Sequence, residues 1–188
     1  MTEIWVVRHG ETDWNRTGRF QGDLPVPLND RGRAQAAALA ESLRGAGVTA
    51  VYASDLPRAA QTAAILSEAL GLPPPVMEPR LRERDMGPYR GLAYREAAAS
   101  TGRSLNAAGW LDLQGLPGVE DDRAVRARLL AAFADIAAAL PDARVVAVSH
   151  GAAMAALQRT LPGKPTATVL GNGAILRLRR DGDEWRMT

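Results

Sequence analysis

Two short runs at opposite ends of the 188-residue chain, Glu3–Arg8 (EIWVVR) and Arg144–Ser149 (RVVAVS), are rich in Val and almost continuously apolar. A strand with one wet face alternates; a run like these belongs to a strand buried on both faces, as in a parallel sheet covered by helices. The chain between them has the matching pattern. Asn29 is placed to cap a helix from Asp30 to about Arg44, with Ala36, Leu39, Ala40 and Leu43 on one face and Gly45 and Gly47 ending it. Ala50–Ala53 reads as a second strand, and Leu56–Leu70 as a helix stopped by Gly71 and the prolines at 73–75. Residues 76–90 read as mixed strand and loop. Ala-rich helical segments follow near 91–101 and 121–140, with a loop around Gly109–Gly118 between them. A helix is expected from Ala152 to about Thr160, then a hairpin of Ala174–Leu178 and Glu184–Met187 across Arg180–Asp183. Alternating strands and helices predict a layered α/β fold with a largely parallel sheet.

In such sheets ligands bind beyond the carboxyl ends of the strands. Both strand-like runs end in a histidine followed by glycine, His9-Gly10 and His150-Gly151, and these are the only two histidines. With no Cys, a disulfide scaffold, a thiolate zinc site and a thiol nucleophile are all excluded. A pI of about 9.5 suggests a basic protein, yet the net charge is only +2. Lys164 is the one lysine among 23 basic residues, so few groups titrate between neutrality and about pH 10. A nucleic-acid partner is therefore not expected. Met1–Arg8 lacks the pattern of a signal peptide and Ala131–Leu140 is too short to span a bilayer, so no membrane association and a cytoplasmic location are expected. No repeat or low-complexity linker divides the chain, and a single domain over 1–188 is expected.

The chemistry gathers at the histidines. Arg8 beside His9 sets a guanidinium fork, matched to phosphate oxygens, next to an imidazole. His150-Gly151 opens a helix, whose positive end favours an anion. Arg58, near the start of its helix, can add a second guanidinium. Two Arg and two His form a phosphate pocket that needs no metal, and the positive charge favours neutral, nucleophilic imidazole. The remaining need is a proton donor for the leaving alcohol. Glu83, in LRERDMG at 81–87, is the best candidate, because a carboxyl beside bound phosphate tends to be protonated. Asp85 is a conceivable substitute, and an exposed charge cluster is the bland reading of both.

These residues resemble the histidine phosphatase superfamily, which includes the cofactor-dependent phosphoglycerate mutases and many small phosphatases. RHGET at 8–12 with Asn15, SDLPRAAQTA at 54–63, LRERDMG at 81–87 and VSHG at 148–151 stand in the family's order, with Asn172-Gly173 before the last strands. The resemblance implies a three-layer α/β/α sandwich of the phosphoglycerate mutase-like type. It also implies a phosphohistidine on His9, phosphoryl oxygens held by Arg8, Arg58 and His150, and Glu83 as acid and base. Asn15, Gln21 and Gly151 match positions that touch the phosphate or rim. No cofactor or metal is implied. The partner is a small phosphate ester, chosen by a lid and specificity segment at about 88–118; a homodimer is left open.

Departures favour the small phosphatase branch over mutase activity. Ala152 follows the second His-Gly where mutases commonly have Asn, and Met86 stands where they carry Tyr. No lid arginine pair is evident between 96 and 120. Zinc held by the histidines with Glu11, Asp13 or Glu83 conflicts with the arginine beside the histidine, and no HExxH spacing occurs. Ser149-His150 lacks a GxSxG elbow. A non-catalytic module for phosphorylated ligands conflicts with the presence of the whole residue set. Arg177, Arg179 and Arg180 read as the solvated face of a strand, and Trp14 and Trp110 as core or rim with a lesser chance of lining the pocket.

Overall fold

The computed structural model describes residues 1–106, 109–112, 114–164, 170–182 and 184–188. Its sheet has six strands: β1 (Glu3–Arg8), β2 (Val48–Ala53), β3 (Val76–Met77), β4 (Arg144–Ser149), β5 (Ile175–Asp181) and β6 (Glu184–Met187). Their spatial order is β3-β2-β4-β1-β5-β6. The first four are mutually parallel, and β5 and β6 add an antiparallel edge. β1 and β4 are thus central and adjacent, in register with Arg8 opposite Ser149. That pairing brings both His-Gly turns to one end of the sheet.

Helices cover both faces. On one side α2 (Asp30–Leu43) and α3 (Pro57–Leu70) pack Ala40, Leu43, Ala59, Ala63 and Leu66 against Trp5, Val7, Val51 and Val146. On the other, α5 (Asp122–Ala139) and α6 (Gly151–Thr160) bury Leu129, Phe133, Met154 and Leu157 against Ile4, Val6, Val145 and Ala147. The result is a three-layer sandwich with a mostly parallel centre. Two short helices complete the chain, α1 (Asp13–Arg16) and α4 (Tyr94–Thr101), together with 3-10 turns at Pro79–Leu81 and Gly87–Tyr89.

The local signals act as expected. Asn29 accepts from Gly32 N at 2.8 Å, satisfying a donor left open at the start of α2. Gly71 takes a left-handed φ of 66° that closes α3. Residues 76–90 hold only a two-residue strand and the two turns. The terminal hairpin begins at Ile175 rather than Ala174. Arg177 and Arg179 are exposed as expected, but Arg180 is half-buried because it falls on the opposite face of β5.

Segment 86–119 builds a third, smaller core of its own. Met86, Ala97 and Leu111 are buried together with Phe20, and Tyr94, Leu105, Leu116 and Val119 pack around them. Among the described residues, no helix is long and apolar enough to cross a membrane.

Candidate active site

Arg8 closes β1 and His9 follows it; Ser149 closes β4 and His150 caps α6. The rings of the two histidines lie 5.1 Å apart, centroid to centroid, inclined by 59°. Arg58, in the first turn of α3, completes the group, and all four residues are buried. Gly10 is required where the loop crosses α2: a Cβ there would stand 2.3 Å from Gly32 O. Gly151 serves Arg8 in the same way, since its missing Cβ would lie 3.2 Å from the guanidinium carbon.

The hydrogen bonds settle how the groups point. His9 Nδ1 donates to Gly10 O at 2.6 Å, which leaves Nε2 as the ring's open lone pair. Arg58 donates through Nη1 to Leu24 O at 3.0 Å and through Nη2 to Gly22 O at 2.6 Å. Arg8 Nη1 donates to Leu170 O at 2.5 Å. Around the site five buried donor or acceptor atoms are left without a protein partner: Arg8 Nε, Arg58 Nε, Arg84 Nε, and Nδ1 and Nε2 of His150. Burial lowers the Arg58 pKa to about 10, and burial also lowers that of Arg8. Burial first, then the charges of Arg58 and Arg8, holds His9 well below the ordinary histidine value. Burial and then Arg58 do the same to His150. Both imidazoles are neutral near pH 7.

Glu83 lies on the wall of the same cavity. Its Oε1 accepts from Ala153 N and Arg84 N, each at 2.8 Å, and its Oε2 from Ala152 N at 3.2 Å. This corrects one expectation. The α6 N-terminus was read as an anion site for phosphate, but its N–H groups at Ala152 and Ala153 are taken by this carboxylate. Asp85 turns away, is exposed and accepts from Gly87 N at 2.8 Å, so Glu83 is the carboxyl at the site.

Asn15, Gln21 and Gly151 all line the cavity. Asn15 Oδ1 accepts from Thr12 N at 3.2 Å and from Asn172 Nδ2 at 3.3 Å, while Gln21 Oε1 accepts from Thr12 Oγ1 at 3.0 Å. Those contacts occupy their oxygens. Trp110 lines the cavity and is 41 % exposed, whereas Trp14 is not among the lining residues and instead supports Arg19, 5.6 Å away.

Three residues contribute in ways the sequence does not announce, two of them, Thr62 and Asn172, within the motifs that carry the resemblance. Thr62 Oγ1 accepts from Gly10 N at 3.1 Å and donates to Arg58 O at 2.8 Å, joining the His9 loop to α3. Asn172 Nδ2 donates to His9 O at 2.9 Å. Arg128 on α5 donates to three carbonyls around the acid: Arg80 O and Arg82 O at 2.7 Å and Glu83 O at 3.1 Å. It also pairs with Glu120 at 2.8 Å. The hydrophobic period of α5 places Arg128 but says nothing of its partners. Among the described residues no cluster of three His, Cys, Asp or Glu is arranged to hold a metal ion.

Comparisons with known proteins show the family. Residues 4–188 match the model of the histidine phosphatase superfamily, branch 1. A metal-independent phosphoserine phosphatase of Arabidopsis thaliana is 34% identical over 188 residues, covering 98% of this chain and 79% of that protein. A probable phosphoglycerate mutase of Enterobacter sp. (strain 638) is 37% identical over 197 residues, covering 98% and 88%. Among solved structures, a mycobacterial glucosyl-3-phosphoglycerate phosphatase in complex with VO3 superposes with a TM-score of 0.83 at 32% identity, covering 98% of this chain and 96% of that one. The chain belongs to the histidine phosphatase superfamily, branch 1, and is an enzyme of the phosphatase type.

Proposed function

We propose that this protein is a metal-independent phosphomonoesterase that works through a phosphohistidine on His9, with Glu83 as general acid and base. The observation that carries the reading is the set of buried, unpartnered polar atoms on Arg8, Arg58 and His150 around the open Nε2 of His9. Buried groups of this kind are rarely left unmatched. Arg8 and Arg58 line the cavity with His9, and His150, itself not on the cavity wall, sets its ring 5.1 Å from that of His9, an arrangement that suits a tetrahedral oxyanion. Fixed guanidinium charge serves the phosphoryl group where a metal would otherwise be required.

In the first step the Nε2 lone pair attacks phosphorus, and the phosphorus–oxygen ester bond breaks. The leaving oxygen takes the proton carried by Glu83, so an alcohol departs. In the second step the Glu83 carboxylate takes a proton from water, the hydroxide oxygen bonds to phosphorus, and the nitrogen–phosphorus bond breaks. Phosphate leaves and both residues are restored. Arg8, Arg58 and His150 hold the equatorial oxygens through both steps. Ala152 and Ala153 N–H keep the acid aimed at the cavity.

Rapid quenching during turnover of a phosphorus-labelled ester tests this. The expected result is label on the protein that is stable to alkali, labile to acid and absent in His9→Ala, with turnover unaffected by excess chelator. Loss of turnover in chelator would overturn the metal-free reading. Supplying 3-phosphoglycerate with its bisphosphate separates the two family activities: inorganic phosphate is expected to accumulate, and accumulation of the isomer instead would show a mutase.

A further inference from the structure

Beyond the phosphate cradle the cavity has a second half of different chemistry. Its volume, about 430 Å³, is in the range of small-molecule sites and leaves ample room beside a phosphate. Three aromatic rings form a row along it. Phe20 lies 4.5 Å from Tyr94, Tyr94 lies 5.7 Å from Trp110 at 32°, and the Trp110 ring lies 5.2 Å from the Arg8 guanidinium carbon. The first turns of α6 add Gly151, Ala152 and Ala155 to the lining, and Gln158 and Arg159 follow further along the same helix.

The cations on this side each hold another group, with Arg84 Nε left buried and unpartnered. Arg84 and Arg159 share the Asp122 carboxylate, Arg159 at 2.7 and 2.9 Å. Arg19 is tied to Gly91 O and stacked on Trp14. A second anion on the substrate would compete with these contacts, whereas a flat apolar group would pack against the row at Trp110, which is 41 % exposed.

From this we infer that the substrate is a phosphate ester whose alcohol carries an aromatic or similarly flat, uncharged group close to the ester oxygen, and that Trp110 and Tyr94 select it. The inference rests on the phosphatase reading and names its substrate class. The row begins beside Arg8, so a ring two or three bonds from the ester oxygen reaches Trp110 while the phosphate stays in its cradle. Stacking combined with burial of a phenyl-sized group corresponds to a preference of about tenfold or more.

The test compares kcat/KM for 2-phenylethyl phosphate, ethyl phosphate and phosphoserine, whose alkyl leaving groups need similar proton donation. The phenylethyl ester is expected to exceed both others by about tenfold or more. Trp110→Ala and Tyr94→Leu are expected to reduce the phenylethyl-to-ethyl ratio several-fold, chiefly through KM of the phenylethyl ester. Equal values for the phenylethyl and ethyl esters, preference for phosphoserine, or a ratio that survives both substitutions would overturn the inference. Calorimetric binding of 2-phenylethylphosphonate and ethylphosphonate keeps the two levels distinguishable. Tight phenylethylphosphonate binding without turnover of any ester supports the pocket assignment and sinks the hydrolytic reading, and equal phosphonate affinities sink the pocket assignment.

Discussion

The two halves of the cavity are built by opposite means. The phosphate half stands on the ends of the central strands β1 and β4 and the first turn of α3, and its working side chains are buried, polar and in part unpartnered. The other half stands largely on segment 86–119, which packs around its own small core and lines the cavity with Met86, Tyr94, Trp110 and Leu111 beside Asn106 and Asp112. Rigid sheet ends suit a reaction needing several charges held in place. A loop-built apolar wall suits the part of a substrate that differs from one enzyme to the next.

The largest expected effect lies in the first half. His9→Ala removes the proposed nucleophile, and kcat is expected to fall by at least about 10³-fold in a steady-state assay. A residual rate near that of the parent would dissolve the distinction between the halves.

Next, Arg8→Met is expected to lower kcat/KM by about 10²–10³-fold while leaving the urea midpoint equal or raised. A buried guanidinium with an unpartnered Nε is held for function at a cost in stability. Activity and stability falling together would make Arg8 structural.

Arg128→Ala probes the join between the halves, because Arg128 holds the acid's backbone and pairs with Glu120 at the end of the apolar segment. As a positioning residue for Glu83, it should matter most when the leaving oxygen needs a proton. Hydrolysis of ethyl phosphate is expected to fall about tenfold or more, and that of p-nitrophenyl phosphate much less. An equal loss on both esters would indicate a general structural role.

A smaller effect concerns stability against pH. The folded-state pKa values of His9 and His150 lie well below the unfolded value of about 6.5. The unfolded chain therefore takes up protons that the folded chain refuses. Stability is fully present above about pH 6.5 and is lost as pH falls, by up to about 1.4 kcal/mol per pH unit for each histidine. Urea titrations between pH 7 and 5 should show this slope, flattened in His150→Gln. Carboxylates such as Asp122, held low by Arg159 and Arg84, contribute their loss only nearer pH 4. The smallest effect belongs to the apolar half: Trp110→Ala, at a 41 % exposed position, is expected to shift the urea midpoint by less than the equivalent of about 1 kcal/mol.

The two halves also differed in how far the sequence revealed them. Strand ends announce themselves through local pattern, so Arg8, His9, Arg58 and His150 could be placed from Val-rich runs, a helix start and four ordered motifs. The alternation of elements sufficed for the layered fold. What stayed hidden were partnerships across long separations. Glu83 on the Ala152 and Ala153 N–H groups, Arg128 on the carbonyls at 80–83, and Asn172 on His9 O each join elements far apart in the chain. Hydrophobic period and capping rules describe neighbours only, so they carried no sign of these bonds. Trp110 could be read only as core, rim or pocket lining for a related reason, since a lone Trp in a loop gives no local indication of which wall it forms.

The third core has a consequence for the tempo of the molecule. Segment 86–119 is joined to the rest of the fold by apolar contacts with Phe20 and Ala152, by hydrogen bonds with Gly18, Arg19 and Phe20 and by the Arg90–Asp23 ion pair, whereas β1 is hydrogen-bonded on both sides by β4 and β5. Opening the segment breaks these contacts at the edge of the fold and leaves the sheet whole, while freeing the amides of Val6 or Val146 requires taking apart the centre of the sheet. Amide exchange should therefore separate into two tiers, with Ala97–Thr101 released by a partial opening and the central strands only by global unfolding. Such a protein can admit and expel its substrate through excursions of one wall while the arginines and histidines keep their places.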